Sequence, residues 1–336
     1  MGQNTWFLLA IVPPFLWSLC NHIDKHLLSK YFTEEDEGVG ALMIVSALAS
    51  IIATPFLFIA DPSVMEVGNG NFQIIALTAC LDVLLLWSYL MAMQKDDASN
   101  VIVYYQLVPV LGILTGYVLL GEVISDMQFV AMGIVIFGTS IISFDNAEGK
   151  FTFKLRTVGF MLLACSCWAF ELALFKVAAL EENPWRSLFW KHIVLVVIGI
   201  IMFALIPKYR VSFLKVMNVG LPQRSYLGRQ ISMSLWIFQV IKSRYFLILG
   251  LNLLNETLYM FGTVTYGFAV MLAPVALVLL TETFQSVFVF LIAIVMVLVL
   301  PKFATEDVER RHIMKKVIAI AITGVGTYLL LTNGAK

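Results

Sequence analysis

The chain has 336 residues, 60% of them hydrophobic and 13% charged, and its acidic and basic side chains balance to a net charge of zero. A soluble domain carries about 25% charged residues, so the composition excludes one large soluble core, and the charge balance gives no sign of a nucleic-acid partner. The apolar residues instead gather into runs near the length of about 20 that a helix needs to cross the hydrocarbon of a bilayer.

Ten such runs follow one another, at about 4–28, 39–60, 72–93, 99–120 and 126–144, then 157–179, 187–206, 245–267, 270–300 and 316–332. Most are apolar all round, which is the pattern of membrane spans rather than of amphipathic helices on a soluble core. The start, MGQNT, has no basic region and the first run has no A-x-A site, so the first span is expected to be retained. A polar segment at 145–156 divides the chain into a first unit at 1–144 and a second at 157–336. Segment 207–244 is the one long non-spanning region. It is basic and contains ISMSLWIFQVI, which reads as a short interfacial helix lying on a membrane surface.

Five spans precede the divide and five follow it. An odd number makes the second unit enter the membrane from the opposite side, so the expected fold is all-α, with ten transmembrane helices as two inverted five-helix repeats. Internal correspondence supports this. Trp17 and Lys25 lie eight residues apart in LLAIVPPFLWSLCNHIDKHLL, and Trp168 and Lys176 repeat the spacing in GFMLLACSCWAFELALFKVAAL. Further on, Asp82 matches Glu256, with Phe72 and Phe246 in step. Eighteen of the 22 Lys and Arg residues follow odd-numbered spans, which places those loops in the cytoplasm and both termini outside. The expected location is the cytoplasmic (inner) cell membrane, crossed many times.

The segment ASNVIVYYQLVPVLGILTGYVLLGEVISDMQFVAMGIVIFGTSII at 98–142 resembles the EamA repeat of the drug/metabolite transporter superfamily. The elements that carry the resemblance are Ala98-Ser99, Pro109, Leu120-Gly121-Glu122, Gln128, Gly133 and Gly138. The second half departs from the pattern: Thr283 stands opposite Pro109, and Leu300-Pro301-Lys302 runs on where the first repeat turns at Gly121-Glu122. The resemblance implies a transporter of ten helices, with cytoplasmic termini in the usual family arrangement, against the charge count.

Ionisable groups in the bilayer core cost about 2.5–3.5 kcal/mol each on insertion scales and are functional candidates for that reason. Asp82, Glu171, Glu256 and Glu282 qualify. Asp82 shares a face with Thr78 and Tyr89, Glu256 with Asn252, Tyr259 and Thr263, and Glu282 with Gln285 and Ser286. Such stripes should line a bundle interior, either binding a proton or cation or holding helices together by hydrogen bonds. Tyr105 and Gln106 precede Pro109, which frees a carbonyl about one turn earlier. With Trp17 and Trp168 they complete the expected substrate-facing set. Lys176 and Lys25 either snorkel to the interface or contact an anionic group. Gly112 and Gly116 allow close helix approach, read as an internal seam. His22 and His26 at i, i+4 read as an interfacial pair rather than a metal site. Cys20, Cys80, Cys165 and Cys167 all lie within spans, where they pack.

No G-x-S-x-G, H-E-x-x-H or P-loop occurs, so neither an enzyme nor an ATP-driven pump is expected, and no cofactor or metal. The expected function is a secondary active transporter of a small polar or amphipathic metabolite, working by alternating access with possible proton or cation coupling. A lipid or lipid-linked sugar flippase and a non-transporting membrane scaffold or receptor are the alternatives.

Overall fold

A computed structural model describes residues 4–31, 37–66, 68–96, 101, 103–146, 154–218, 225–226, 229–230, 244–299 and 310–333. In the first unit the helices are α1 (Thr5–Tyr31), α2 (Glu37–Ala49), α3 (Ala53–Ala60), α4 (Asn69–Lys95), α5 (Val108–Leu120) and α6 (Asp126–Asn146). In the second they are α7 (Leu155–Glu181), α8 (Pro184–Leu205), α9 (Pro207–Asn218), α10 (Arg244–Leu272), α11 (Val275–Leu280), α12 (Gln285–Val299) and α13 (Arg310–Asn333). A two-residue antiparallel ladder pairs Ser225–Tyr226 with Arg229–Gln230. Among the described residues, six helices are long and apolar enough to cross a membrane, with shorter apolar helices at Tyr104–Leu120, Asp126–Ile141 and Val317–Thr332. The protein is thus a helical, multi-pass membrane protein. Side chains such as Leu8, Phe56, Phe129, Phe137 and Ile200 stand exposed on its outside, as lipid contact requires.

Local chemistry sets the helix ends. Asn183 accepts from Trp185 N at 2.9 Å with Pro184 in the first turn, an N-cap that starts α8. Gly121 closes α5 at φ 66°, and Glu122 N returns to Gly116 O at 3.1 Å. That left-handed turn aims Glu122 back across the bundle. Pro14 within α1 has no N–H for the carbonyl of Ala10, four residues earlier, and the Thr281 hydroxyl supplies a bond to it at 2.8 Å.

The helices pair in a pattern that survives exchange of the two units. α4 packs on α7, and α1 on α10; exchanging first and third helices of each unit converts one pair into the other. α6 with α13, α2 with α8, and α5 with α11 each map onto themselves. Gly112 lies against Leu279 and Ala276 in the α5–α11 contact, where an added Cβ would approach to 2.7 and 3.2 Å. The Gly112–Gly116 pair is therefore an internal seam between units. In α6 and α13, an added Cβ at Gly138 would come within 2.5 Å of the Thr323 hydroxyl, and one at Gly326 within 2.8 Å of Val135.

Three of the apolar runs differ from continuous helices, and the run at 39–60 does so through a 3₁₀ turn at Ser50–Ile52 between α2 and α3. The run ending at Leu120 enters through a 3₁₀ turn at Tyr104–Leu107, so Pro109 sits in the first turn of α5 and does not kink an interior. The run starting at 270 breaks at Ala273–Pro274, then narrows to a 3₁₀ turn at Thr281–Phe284 between α11 and α12. The two 3₁₀ turns touch each other across the units. Helix α9 occupies the start of the region read as non-spanning, and Tyr209 on it packs against Gly40 of α2. The ISMSLWIFQVI segment lies outside the described residues.

Candidate functional site

The candidate site is a set of three adjoining cavities between the units. All three share the wall residue Tyr259 of α10. Counting their open mouths, they hold about 590, 680 and 340 Å³ of empty space. Between the second and third stands an aromatic cluster. Trp17 meets Trp168 edge to face at 4.9 Å, with Tyr259 and Tyr266 at 5.8 and 5.4 Å from Trp17. The Trp17 indole N–H donates to Tyr259 O at 3.4 Å, and Gly262 leaves room for the ring, since a Cβ there would lie 2.6 Å from that nitrogen.

Beside this cluster lies a buried charge triad that joins three helices. Lys191 of α8 is 3% exposed and contacts Asp82 of α4 at 2.9 Å and Glu171 of α7 at 2.8 Å. The Tyr259 hydroxyl donates to Asp82 Oδ1 at 3.0 Å. A single buried charge would be costly, and pairing with hydrogen bonds offsets that cost. Asp82 and Lys191 line the first cavity together with His192 and Glu256, while Glu171 and Lys191 line the third.

The second cavity has different chemistry. Asn255 of α10 donates to Asp24 Oδ1 of α1 at 2.8 Å, and Cys20 donates to Asn255 O at 3.5 Å. Tyr89 of α4 donates to Asn21 Oδ1 at 2.7 Å. Glu282 comes from the 3₁₀ turn, where the tightened backbone presents its side chain to the bundle interior beside Gln285. Glu256 lines the first and second cavities alike, and its side chain hydrogen-bonds Ser46.

The sequence-expected residues therefore converge. Asp82, Glu171, Glu256, Glu282, Asn252, Tyr259, Tyr105, Trp17 and Trp168 all line one or more of these cavities. Gln106 does not. Its side chain takes a hydrogen bond from Thr139 at 2.8 Å and ties α6 to the entry turn of α5. Lys176 neither snorkels to solvent nor faces a cavity. It is buried and bonds Glu122 Oε1 at 2.6 Å and Ala273 O at 2.7 Å, because the Gly121 turn brings Glu122 to it. Glu122 also caps the start of α11, accepting from Val275 N at 2.7 Å. The side chains of Lys25 and His26 lie outside the described residues. Among the described residues, no cluster of three or more His, Cys, Asp and Glu side chains could hold a metal ion.

Lys191, Asp24, Asn21 and Asn255 belong to the site and were not singled out by sequence. Lys191 lies two turns into α8, which begins at Pro184 rather than 187. Asp24 stands beside Lys25, near the end of the first apolar run.

The same end of the bundle carries further bonds between units. Glu182 accepts from Gly68 N at 2.7 Å, Asn71 Nδ2 at 2.9 Å and Arg186 at 2.7 Å. Asn183 donates to Asp61 at 3.1 Å, and the Trp190 indole donates to Val64 O at 2.7 Å. The side-chain bonds from Asn71 and Arg186, with Gly68 N, hold the Glu182 carboxyl down from 4.5 to about 2.

The model of the EamA-like transporter family matches residues 4–144, consistent with an EamA-type transporter of the drug/metabolite transporter superfamily. No curated protein matches. Chains of solved structures do match, 28 of them. One crystal structure shares 16% identity and covers 99% of this chain and 97% of its own, with a TM-score of 0.58. At that identity the likeness shows a shared fold.

Proposed function

We propose that this protein, a multi-pass membrane protein whose first half matches the EamA-like transporter family, is a secondary active transporter. Its cargo is a small polar or amphipathic metabolite, moved by alternating access. The observation that carries the reading is the trio of cavities, apolar-walled but each holding buried carboxylates, between two units whose helix pairings survive exchange. In ten-helix proteins built from two inverted repeats, rocking of one unit against the other exposes a central site to each side in turn. Five spans per unit, with helices found at all ten apolar runs, support that architecture here.

The bonds at Glu182, Asn183, Trp190 and Lys176 tie the units at one end and are of the kind that must break when that end opens. The charge count, which assigns eighteen of 22 basic residues to the opposite end, favours the tied end outside the cell. Glu256 is the residue we assign to proton or cation exchange. It lines both larger cavities, and its bond runs to Ser46 rather than into the Lys191 triad. The protein acts as a carrier and not as an enzyme.

The test is reconstitution into proteoliposomes, with a panel of labelled metabolites taken up under an imposed pH gradient. Uptake above protein-free vesicles is expected, and Glu256→Gln should lose the response to the gradient. Absence of uptake for every compound in either direction of the gradient would sink the transporter reading. Gradient-driven uptake by Glu256→Gln equal to wild type would sink its assignment.

A further inference from the structure

The second cavity contains more hydrogen-bonding capacity than the protein itself uses. Six buried side-chain atoms on its wall have no hydrogen-bond partner among the described residues: Asn21 Nδ2, Trp168 Nε1, Asn252 Oδ1, Asn255 Oδ1, Glu282 Oε1 and Gln285 Oε1. Asn21, Asn252, Asn255, Glu282 and Gln285 are each more than nine-tenths buried. Buried polar atoms are nearly always paired, so a cluster of orphans around one space marks a place where something else supplies the partners. Two of the amides have a fixed sense: Asn255 Nδ2 donates to Asp24, which leaves its Oδ1 to accept, and Asn21 Oδ1 accepts from Tyr89, which leaves its Nδ2 to donate. A carboxylate, when ionised, only accepts.

The sign of charge then follows. Asp24, Glu256 and Glu282 line this cavity, and among the described residues no Lys, Arg or His does. The neighbouring first cavity has Lys191, but that ammonium is already held between Asp82 and Glu171. An anionic ligand in the second cavity would meet three carboxylates and, among the described residues, no opposite charge. A cation would meet acceptors on α1, α10 and the 3₁₀ turn together. Much of its remaining wall is aromatic, from Trp17, Trp168, Tyr89, Tyr105 and Tyr259, and the rest is mainly leucine. Faces of this kind attract cations and also accommodate apolar groups. About 680 Å³, with so much apolar wall, suits an organic molecule better than a bare metal ion.

We propose that the second cavity binds an organic cation, a molecule with a protonated amine and an apolar body. The ammonium N–H groups bond Glu282, Asn255 and Asn252, and the body lies against Trp17 and Trp168. This inference rests on the transporter reading only in naming the cargo, because binding can be measured without flux.

The experiment is thermal-shift and calorimetric titration of the purified full-length protein in detergent at pH 7. Matched probes are used: phenethylamine against 3-phenylpropionate, butylamine against pentanoate, and putrescine against succinate, with phenylalanine as zwitterion and NaCl and KCl as inorganic cations. At least one amine is expected to bind ten-fold or more tighter than its matched anion. Glu282→Gln and Asn255→Leu should each weaken that amine ten-fold or more. Tighter binding of an anion or of phenylalanine, saturation by NaCl or KCl with no further effect of any amine, or no binding by any amine overturns the proposal. The comparison among probes is made on the unmutated protein, so a variant that fails to fold does not remove the test. Amine binding without flux in proteoliposomes would sink the transporter reading and leave this site standing. Flux of an anion without amine binding would do the reverse.

Discussion

Trp17 and Trp168, which the Trp-to-Lys spacing sets at equivalent positions of the two proposed repeats, touch each other edge to face at 4.9 Å. A residue in contact with its own repeat mate must lie at the axis that exchanges the units. The second and third cavities share both rings as a wall. The axis of the duplication and the candidate site therefore coincide.

Truncating either ring should unpack that centre. Trp17→Ala is expected to cost about 3–5 kcal/mol, the range for large aromatic truncations in a core. Trp168→Ala should cost a similar amount, and the double variant less than the sum, because each ring packs on the other. Thermal unfolding of the solubilised protein reads all three. Strictly additive losses would show that the ring contact contributes no coupling.

Lys191 is the one cation of its triad, so removing it leaves Asp82 and Glu171 facing each other in a buried space. Lys191→Met should destabilise by about 3–5 kcal/mol, as expected when one member of a buried ion pair is removed. Replacing the carboxylates as well, with Asp82→Asn and Glu171→Gln, should recover most of the loss, because no uncompensated charge remains. Melting temperatures of the single and triple variants decide it. A triple variant no more stable than Lys191→Met would mean that shape rather than charge sets the cost.

What the sequence made legible, and what it hid, follows from range. The ten apolar runs mark helices because twenty-residue apolarity is a local property. The Trp-to-Lys spacing suggests a duplication for the same reason. Asp82 and Glu256 stand out because a lone carboxylate in an apolar run is conspicuous. Their partners are another matter. Asp82 is bonded to Lys191, more than a hundred residues away, and Glu256 is not its direct neighbour in any bond found. Lys191 falls near the start of the run at 187–206, where a basic residue reads as a span-end charge, until the Asn183 cap shows that α8 began two turns before it. Lys176 looks like a snorkelling end residue until the Gly121 turn delivers Glu122 to it. Pairing across the units is a long-range outcome of packing, and periodicity cannot show it.

Close approach of α5 and α11 depends on the missing side chain at Gly112. An added Cβ would press on Leu279 at 2.7 Å and on the Ala276 backbone at 3.2 Å, and backbone cannot move aside cheaply. Gly112→Val should therefore destabilise by about 1–3 kcal/mol through overpacking. Gly133→Ala is the contrast, since a Cβ there meets nothing within 4 Å. It should be neutral or slightly stabilising, because alanine favours helix over glycine by about 1 kcal/mol. Thermal shifts of equal size for both variants would contradict the seam.

The network at Glu182 makes a prediction about acid. Its carboxyl is held down to about 2 from 4.5 by bonds from Asn71, Arg186 and Gly68 N, and Asp61 nearby is also lowered, chiefly by its bonds with Ser63. A group lowered in the folded state contributes stability above its unfolded value and loses it as pH falls through the folded one. The stabilisation from Glu182 is therefore fully present at pH 7 and at pH 5, and fades between 4.5 and about 2. Glu182→Gln has no charge to lose. The difference in melting temperature between wild type and Glu182→Gln should stay level from pH 7 to 5 and then close as the solution is acidified toward 2. Because the same bonds tie the two units at one end, Glu182→Gln should also make a cysteine placed at Ser63 react faster with a water-soluble maleimide at pH 7. A gap in melting temperature that stays constant down to pH 2 would show that the carboxylate charge does not hold this end together.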